Sequence, residues 1–338
     1  MLLAQGGSVA ISRAILADFR PDHRLGDEGV TWPSIGLSES FSDGVGQLTG
    51  SKWQLGCSWV GFGLQQSLGD AVADPGEGVA ADGTIRTGAH RGRVPAAFEP
   101  VLADAVALIG GSDASLYVYG SVAAGTVRPG SSDVDLLSVG LPDAAVIGQR
   151  LSARYADLCR GVEIAAATAE DLVGERDEAY GFRVFLRHYC VHLAGLDPAA
   201  ALPAFPADAR AARGFNGDIA RHYRRWRQQL ESGTVAEPLG VRVARKTLLA
   251  VAGLVSVHDH TWTTDRSRAA RRWGELEPDL AIPLARLLSW ATAERRPAPE
   301  EVRRALADNG VVDAVVERFS SVIGLWADDP HDHDPSDQ

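Results

Sequence analysis

The stretch YVYGSVAAGTVRPGSSDVDLL, residues 117 to 137, constrains this chain more than any other. Two apolar runs that read as buried strands flank a loop holding Pro129 and Gly130, and the second run carries Asp133 and Asp135. Strand side chains alternate between faces, so the two acids point one way while Val134 and Leu136 point into a core on the other. Carboxylates this close repel, and both stay ionised only with a cation between them. Oxygen-only ligands of this kind suit Mg²⁺, which takes one or two carboxylates, several waters and substrate phosphates. The pair reads as a metal platform on a rigid strand.

Gly120-Ser121, at the end of the first run, supplies the complementary half. Glycine lets backbone approach a ligand closely, and SVAAG can begin a helix whose free N–H groups favour a phosphate. Ser121 adds a hydroxyl donor. A third acid, Glu163, lies in GVEIAAAT (161 to 168), flanked by apolar residues in another strand-like run. It is placed to complete a metal site or to take a proton from an attacking hydroxyl. The purely structural readings are a turn pair for the two aspartates, a helix cap for Ser121 and a solvent-facing strand position for Glu163.

The rest of the chain divides around this stretch. Residues 1–90 hold 16 of the 36 glycines and no sustained period, which predicts a poorly ordered extension or a start codon placed too early. From Val94 the pattern is regular: a helix through PAAFEPVLADAVALIGG, strands at 115–121, 132–140 and 161–168, a helix at 142–160, another through 182–188, and a fourth strand within 189–197. The Ala/Pro-rich segment DPAAALPAFPAD reads as a linker. Beyond it helices are expected at about 207–232, 238–258, 265–275, 279–294, 299–308 and 311–326. The domain map is therefore an extension (1–90), an α/β domain (91–197), a helical domain (198–328) and a disordered charged tail (329–338). The fold class is α+β, a small mixed sheet with flanking helices followed by an all-helical domain.

Gly-Ser, a loop, Ser-Asp-Val-Asp-Leu-Leu and a later Val-Glu-Ile together resemble the nucleotidyltransferase domain of the DNA polymerase β superfamily. Within it, the compact size and helical C-terminal partner are most similar to the bacterial aminoglycoside adenylyltransferases of the streptomycin/spectinomycin type. The resemblance implies an enzyme with two Mg²⁺ ions and a nucleoside triphosphate donor, ATP first among them. It would transfer a nucleoside monophosphate to a hydroxyl and release pyrophosphate. Carried over by position, Gly120, Ser121 and Ser132 hold the nucleotide, Asp133 and Asp135 bind metal, and Glu163 is a metal ligand or general base. In HTWTTDRSRAARRW (260–273), a loop leading into a helix capped by Thr264 or Asp265, the family's lysine is absent, so Arg266 or Arg268 would substitute. Lys246, in RVARKTLLAVAGL, is another candidate phosphate contact. A solvated surface charge is the competing reading for all three.

Composition narrows the partners. The net charge of −11 argues against a general nucleic-acid binder and suits a cationic small acceptor, with an aminoglycoside-like polycation leading. Glu231, Glu237, Glu275, Glu277 and Asp279 are the acids available to face it. The basic run RHYRRWRQQ (221–229) reads as a solvated face with Trp226 docked, and RNA binding is the competing use for it. Two further functions compete with small-molecule transfer: transfer to a tRNA end or a protein hydroxyl, and catalytically silent regulation by nucleotide binding. Three widely spaced cysteines suggest neither a disulfide framework nor a zinc site, and a cytoplasmic location is expected. No run of 18 uncharged apolar residues exists, so no membrane span is expected.

Overall fold

The computed structural model describes residues 74–327 apart from 111, 112 and 142. The expectations for 1–73 and for the charged tail from 329 lie outside these residues. Order reaches further toward the N-terminus than the sequence predicts. Residues 74–90, expected to belong to the extension, contain a hairpin of β1 (Gly78–Val79) and β2 (Ile85–Arg86). Its turn is closed by Asp82, which accepts from the Thr84 N–H (3.0 Å) and hydroxyl (2.7 Å), with Gly83 in the left-handed region at φ 83°.

The larger sheet has four strands in the order β5-β4-β3-β6. Strands β3 (Ser115–Tyr119) and β4 (Val134–Val139) pair antiparallel, β4 and β5 (Val162–Ala167) parallel, and β6 (Val191–Ala194) runs antiparallel to β3. The mixed sheet agrees with the expected fold class. Alternation along β3 and β4 sends Leu116, Val118, Val134 and Leu136 into a core shared with helices α1 (Glu99–Ile109) and α3 (Ala144–Arg154). Tyr117, Tyr119, Leu137 and Val139 enter a second core on the opposite face. The short helix α2 (Gly120–Ala124) follows β3 directly.

That second core does not stop at the expected boundary near 197. It runs through Phe182 and Phe185 on α4 (Asp177–Tyr189) into the helical half, as far as Leu248, Val312 and Phe319. Helices there are α5 (Ala209–Asn216), α6 (Ile219–Glu231), α7 (Ala236–His258), α8 (Arg266–Leu276), α9 (Pro278–Ala291), α10 (Pro299–Ala305) and α11 (Val311–Val322). The helix expected at 207–232 is two helices, broken at Gly217-Asp218. At the junction α4 meets α5 through two glycines: a Cβ on Gly181 would lie 2.3 Å from the Gly214 carbonyl oxygen. The two halves therefore share one apolar core and a close backbone contact. No helix among the described residues is long and apolar enough to cross a membrane.

The β1–β2 hairpin is stitched to the segment between the two halves. The Ile85 N–H donates to the Phe205 carbonyl (2.8 Å) and the Ala207 N–H to the Gly83 carbonyl (3.0 Å). Phe205 N–H in turn donates to His188 Nε2 at 2.9 Å. Burial, with Arg187 nearby, pushes the His188 pKa down to about 4, so the ring is neutral and free to accept. Ahead of the hairpin, Glu77 accepts from the Tyr189 hydroxyl (2.8 Å), the Thr264 N–H (2.7 Å) and the Thr264 hydroxyl (2.8 Å). The Trp262 indole N–H completes this cluster by donating to the Tyr189 oxygen at 2.7 Å. One carboxylate thus ties the N-terminal segment to both halves.

Candidate active site

Strand β4 opens at Val134, so Asp133 lies just ahead of it and Asp135 within it. In the parallel ladder Asp135 stands opposite Glu163, and in the antiparallel ladder it stands opposite Tyr119. In-register neighbours share a face. Asp135, Glu163 and Tyr119 thus meet on the sheet face that looks toward the helical half.

Asp135 is 1% exposed, and its Oδ1 has no hydrogen-bond partner. Burial drives its pKa well above the ordinary carboxylate range, Glu163 and Asp133 push it further, and Arg160 partly opposes them. A buried carboxylate with an orphaned oxygen and two acidic neighbours suits a hard cation. That observation fits the metal platform. Asp133 is otherwise engaged: Arg160 forks onto it, Nε donating to Oδ1 at 3.1 Å and Nη2 to Oδ2. Among the described residues no three His, Cys, Asp or Glu side chains are gathered as a metal-ligand set. The acids share a face without closing on a common point.

Gly120 follows Tyr119 at the end of β3 and has φ 65°, in the left-handed region that a Cβ strains. This conformation lets the chain leave the strand and enter α2 at once. Ser121 is buried beside it. Ser132 accepts from the Arg128 N–H at 3.0 Å, closing the loop that leads into the acids. Tyr119 is a site residue that the sequence does not single out. Burial first, then the charges of Asp135 and Glu163, hold its hydroxyl well above the usual phenol range, so it stays protonated next to the acids. Its ring meets Phe185 edge-on at 5.1 Å.

The helical-half candidates lie differently. Lys246 is 0% exposed; its Nζ sits 2.7 Å from Asp218 Oδ1 and donates to the Phe215 carbonyl at 3.2 Å. Both the surface charge and the phosphate contact expected there give way to a buried ion pair. Burial alone would raise the Asp218 pKa, but Lys246 and His222 beside it hold it well below the carboxylate range. Its stabilising contribution is present above the unfolded pKa of about 3.9 and is lost as pH falls through the lower folded value. Lys246→Met should cost about 3–5 kcal/mol by leaving Asp218 buried without its main partner, read from denaturant midpoints at pH 7. A change below about 1 kcal/mol would show the pair to be dispensable.

Arg266 is also buried, at the start of α8, and burial with Arg245 nearby pulls its pKa to about 9. Arg268 is exposed, and the helix is capped by Asp265, which accepts from the Ser267 and Arg268 N–H groups at 2.9 and 3.1 Å. Of the acids expected to face a cation, three already have arginine partners. Glu237 lies 3.3 Å from Arg296, Glu275 3.2 Å from Arg272 and Glu277 2.6 Å from Arg318.

Residues 101–178 match the family model of the nucleotidyltransferase domain. The match spans α1 to the first turn of α4 and contains Gly120, Ser121, Asp133, Asp135 and Glu163. No curated protein matches the chain. The acids of β4 and β5 thus lie within a nucleotidyltransferase domain, and the protein is a nucleotidyltransferase enzyme.

Proposed function

We propose that the protein uses divalent metal, Mg²⁺ first, to move a nucleoside monophosphate from a nucleoside triphosphate, ATP first, onto a hydroxyl of a small acceptor. The buried and partnerless oxygen of Asp135, flanked by Asp133 and Glu163 inside a nucleotidyltransferase domain, carries this reading. Asp133 and Asp135 would hold the metal, which when bound supplies charge neutralisation and polarises phosphate oxygens.

The chain's own residues supply the rest. Gly120 lets backbone come close to phosphate oxygens, and Ser121 adds a hydroxyl donor. Glu163, opposite Asp135 in the ladder, is the third metal ligand or the group to receive the acceptor's proton. Protonated Tyr119, packed on Phe185, closes the floor without adding negative charge. The helical half packs on this face of the sheet and would keep water from competing with the acceptor. Catalysis rests on positioning and charge neutralisation, the usual means of phosphoryl transfer.

For the acceptor, the resemblance and the −11 net charge favour an aminoglycoside-like polycation, although the three paired acids leave less free negative charge in the helical half. The test is incubation with each labelled nucleoside triphosphate, Mg²⁺ and a panel of streptomycin, spectinomycin, kanamycin, tRNA and neutral polyols, read by product mass. Nucleotidylation of an aminoglycoside, weakening with salt because exposed charges are screened over about 8 Å at physiological ionic strength, is expected. Modification of tRNA or a co-purified protein instead would reassign the acceptor. Pyrophosphate release with no acceptor in the panel modified would reject these acceptors while keeping the chemistry.

A further inference from the structure

The loops that enter β4 and β5 are laced together by backbone. Gly130 N–H donates to the Leu158 carbonyl (2.7 Å), Arg160 N–H to the Ser132 carbonyl (3.1 Å) and Val134 N–H to the Gly161 carbonyl (2.9 Å). This lacing sets the Arg160 side chain beside Asp133 at the open end of the acid face. A forked guanidinium–carboxylate pair is the strongest geometry available to these groups. The two partners are unequal in their access to water: the Asp133 side chain is 10% exposed and that of Arg160 is 45%.

We infer that Arg160 is the resident counter-cation of the acid cluster, holding Asp133 while the site is empty and moving to a phosphate of the incoming nucleoside triphosphate when a divalent ion takes the carboxylate. This inference rests on the metal reading given above. Three acids on one face repel, and Arg160 offsets two of them: it pairs with Asp133 directly and its charge also reaches Asp135. The compensation is incomplete, because Asp135 Oδ1 still has no hydrogen-bond partner.

The same fork competes with a metal. Both Asp133 oxygens already accept from Arg160, and a second cation at contact distance would be repelled by the first. Being half-exposed, the guanidinium can swing away without dragging charge through the interior, whereas the nearly buried carboxylate cannot. Phosphate is the natural destination, since the geometry that grips a carboxylate also grips two phosphate oxygens. No bond is made or broken in this exchange. It is a trade of one ion pair for another, and it couples metal entry to nucleotide entry.

The coupling is testable by Mn²⁺ titration of the full chain, read by the electron paramagnetic resonance of free Mn²⁺, with and without a non-hydrolysable triphosphate analogue. Without nucleotide, Arg160→Gln should bind Mn²⁺ about tenfold more tightly than the wild type. The analogue should then raise Mn²⁺ affinity less in the variant than in the wild type, because no arginine remains to be drawn off. Arg160→Lys keeps the charge without the fork and should fall between the two; it also serves if the Gln variant does not fold. Equal Mn²⁺ affinity in wild type and variants would make Arg160 a strand-tying ion pair only and overturn the inference. Failure of every form to bind Mn²⁺, even with the analogue, would reject the metal platform itself, and the inference with it.

Discussion

A chain shortened to begin at Arg91 is expected to lose most of its stability, although it keeps the whole four-stranded sheet. The cut removes Ile85, 3% exposed in the larger core, and burying such a side chain contributes about 1.5–3 kcal/mol. It also removes Glu77, leaving the buried Tyr189 hydroxyl and the Thr264 N–H without their acceptor. Each buried donor left unsatisfied costs about 1–3 kcal/mol. The bonds from Ile85 and Ala207 across to the segment between the halves go too, as does the Thr87 hydroxyl's bond to the His188 carbonyl. Against a whole-domain stability of about 5–15 kcal/mol these losses are decisive. The fair comparison is a chain beginning at Asp74, which retains every contact named here. Thermal melts of the two should differ widely, with the shorter one insoluble or melting at least about 10 °C lower. Matching melts would show the hairpin to be an appendage.

Composition hides that hairpin from a reading of the sequence. Its strands are two residues long and sit in a Gly- and Ala-rich stretch, so no hydrophobic period rises above the background. A signal is nonetheless present: Asp82-Gly83 lies between Val79 and Ile85, and Asp-Gly between apolar residues is a hairpin cue. The acids at the start of β4 are legible for the opposite reason. A charged residue in an apolar run is costly enough that two of them there demand an explanation. What alternation does not give is the register that sets Glu163 beside Asp135, because a parallel pairing depends on the α3 crossover between the strands. Arg160 escapes notice on the same ground, its position depending on how two loops are laced. Lys246 reads as a surface charge or phosphate contact because its partner Asp218 lies in a break between helices that the apolar pattern runs straight through. Gly217 is the signal that marks that break.

Asp135→Asn should separate the site's chemistry from the fold's stability more cleanly than any other change. The two side chains are nearly the same shape, so packing on β4 is preserved, while the charge that attracts a cation is gone. Nucleotidyl transfer should fall at least about 10²–10³-fold, the usual loss when one charge-stabilising group is removed from a reacting centre. Stability should move the other way. Burial and the neighbouring acids raise the folded-state pKa of Asp135 above its unfolded value. Its favourable contribution is then fully present below an unfolded pKa of about 3.9 and lost as pH rises through the folded value. Asparagine does not titrate, so the variant's melting temperature should gain on the wild type's as pH rises from about 4 toward 8. Adding Mg²⁺ and a triphosphate analogue should reverse the ranking, since a ligand stabilises only the form that binds it. Glu163→Gln in the same assays should lose at least about 10²-fold in transfer if it receives the acceptor's proton. Pyrophosphate release, melting curves at several pH values and the same curves with metal and analogue measure all of this on one set of proteins. Transfer by Asp135→Asn at near the wild-type rate would end the metal-platform reading. A variant less stable than wild type without metal at pH 8 would show instead that the Asp135 carboxylate already has a compensating partner in the folded chain.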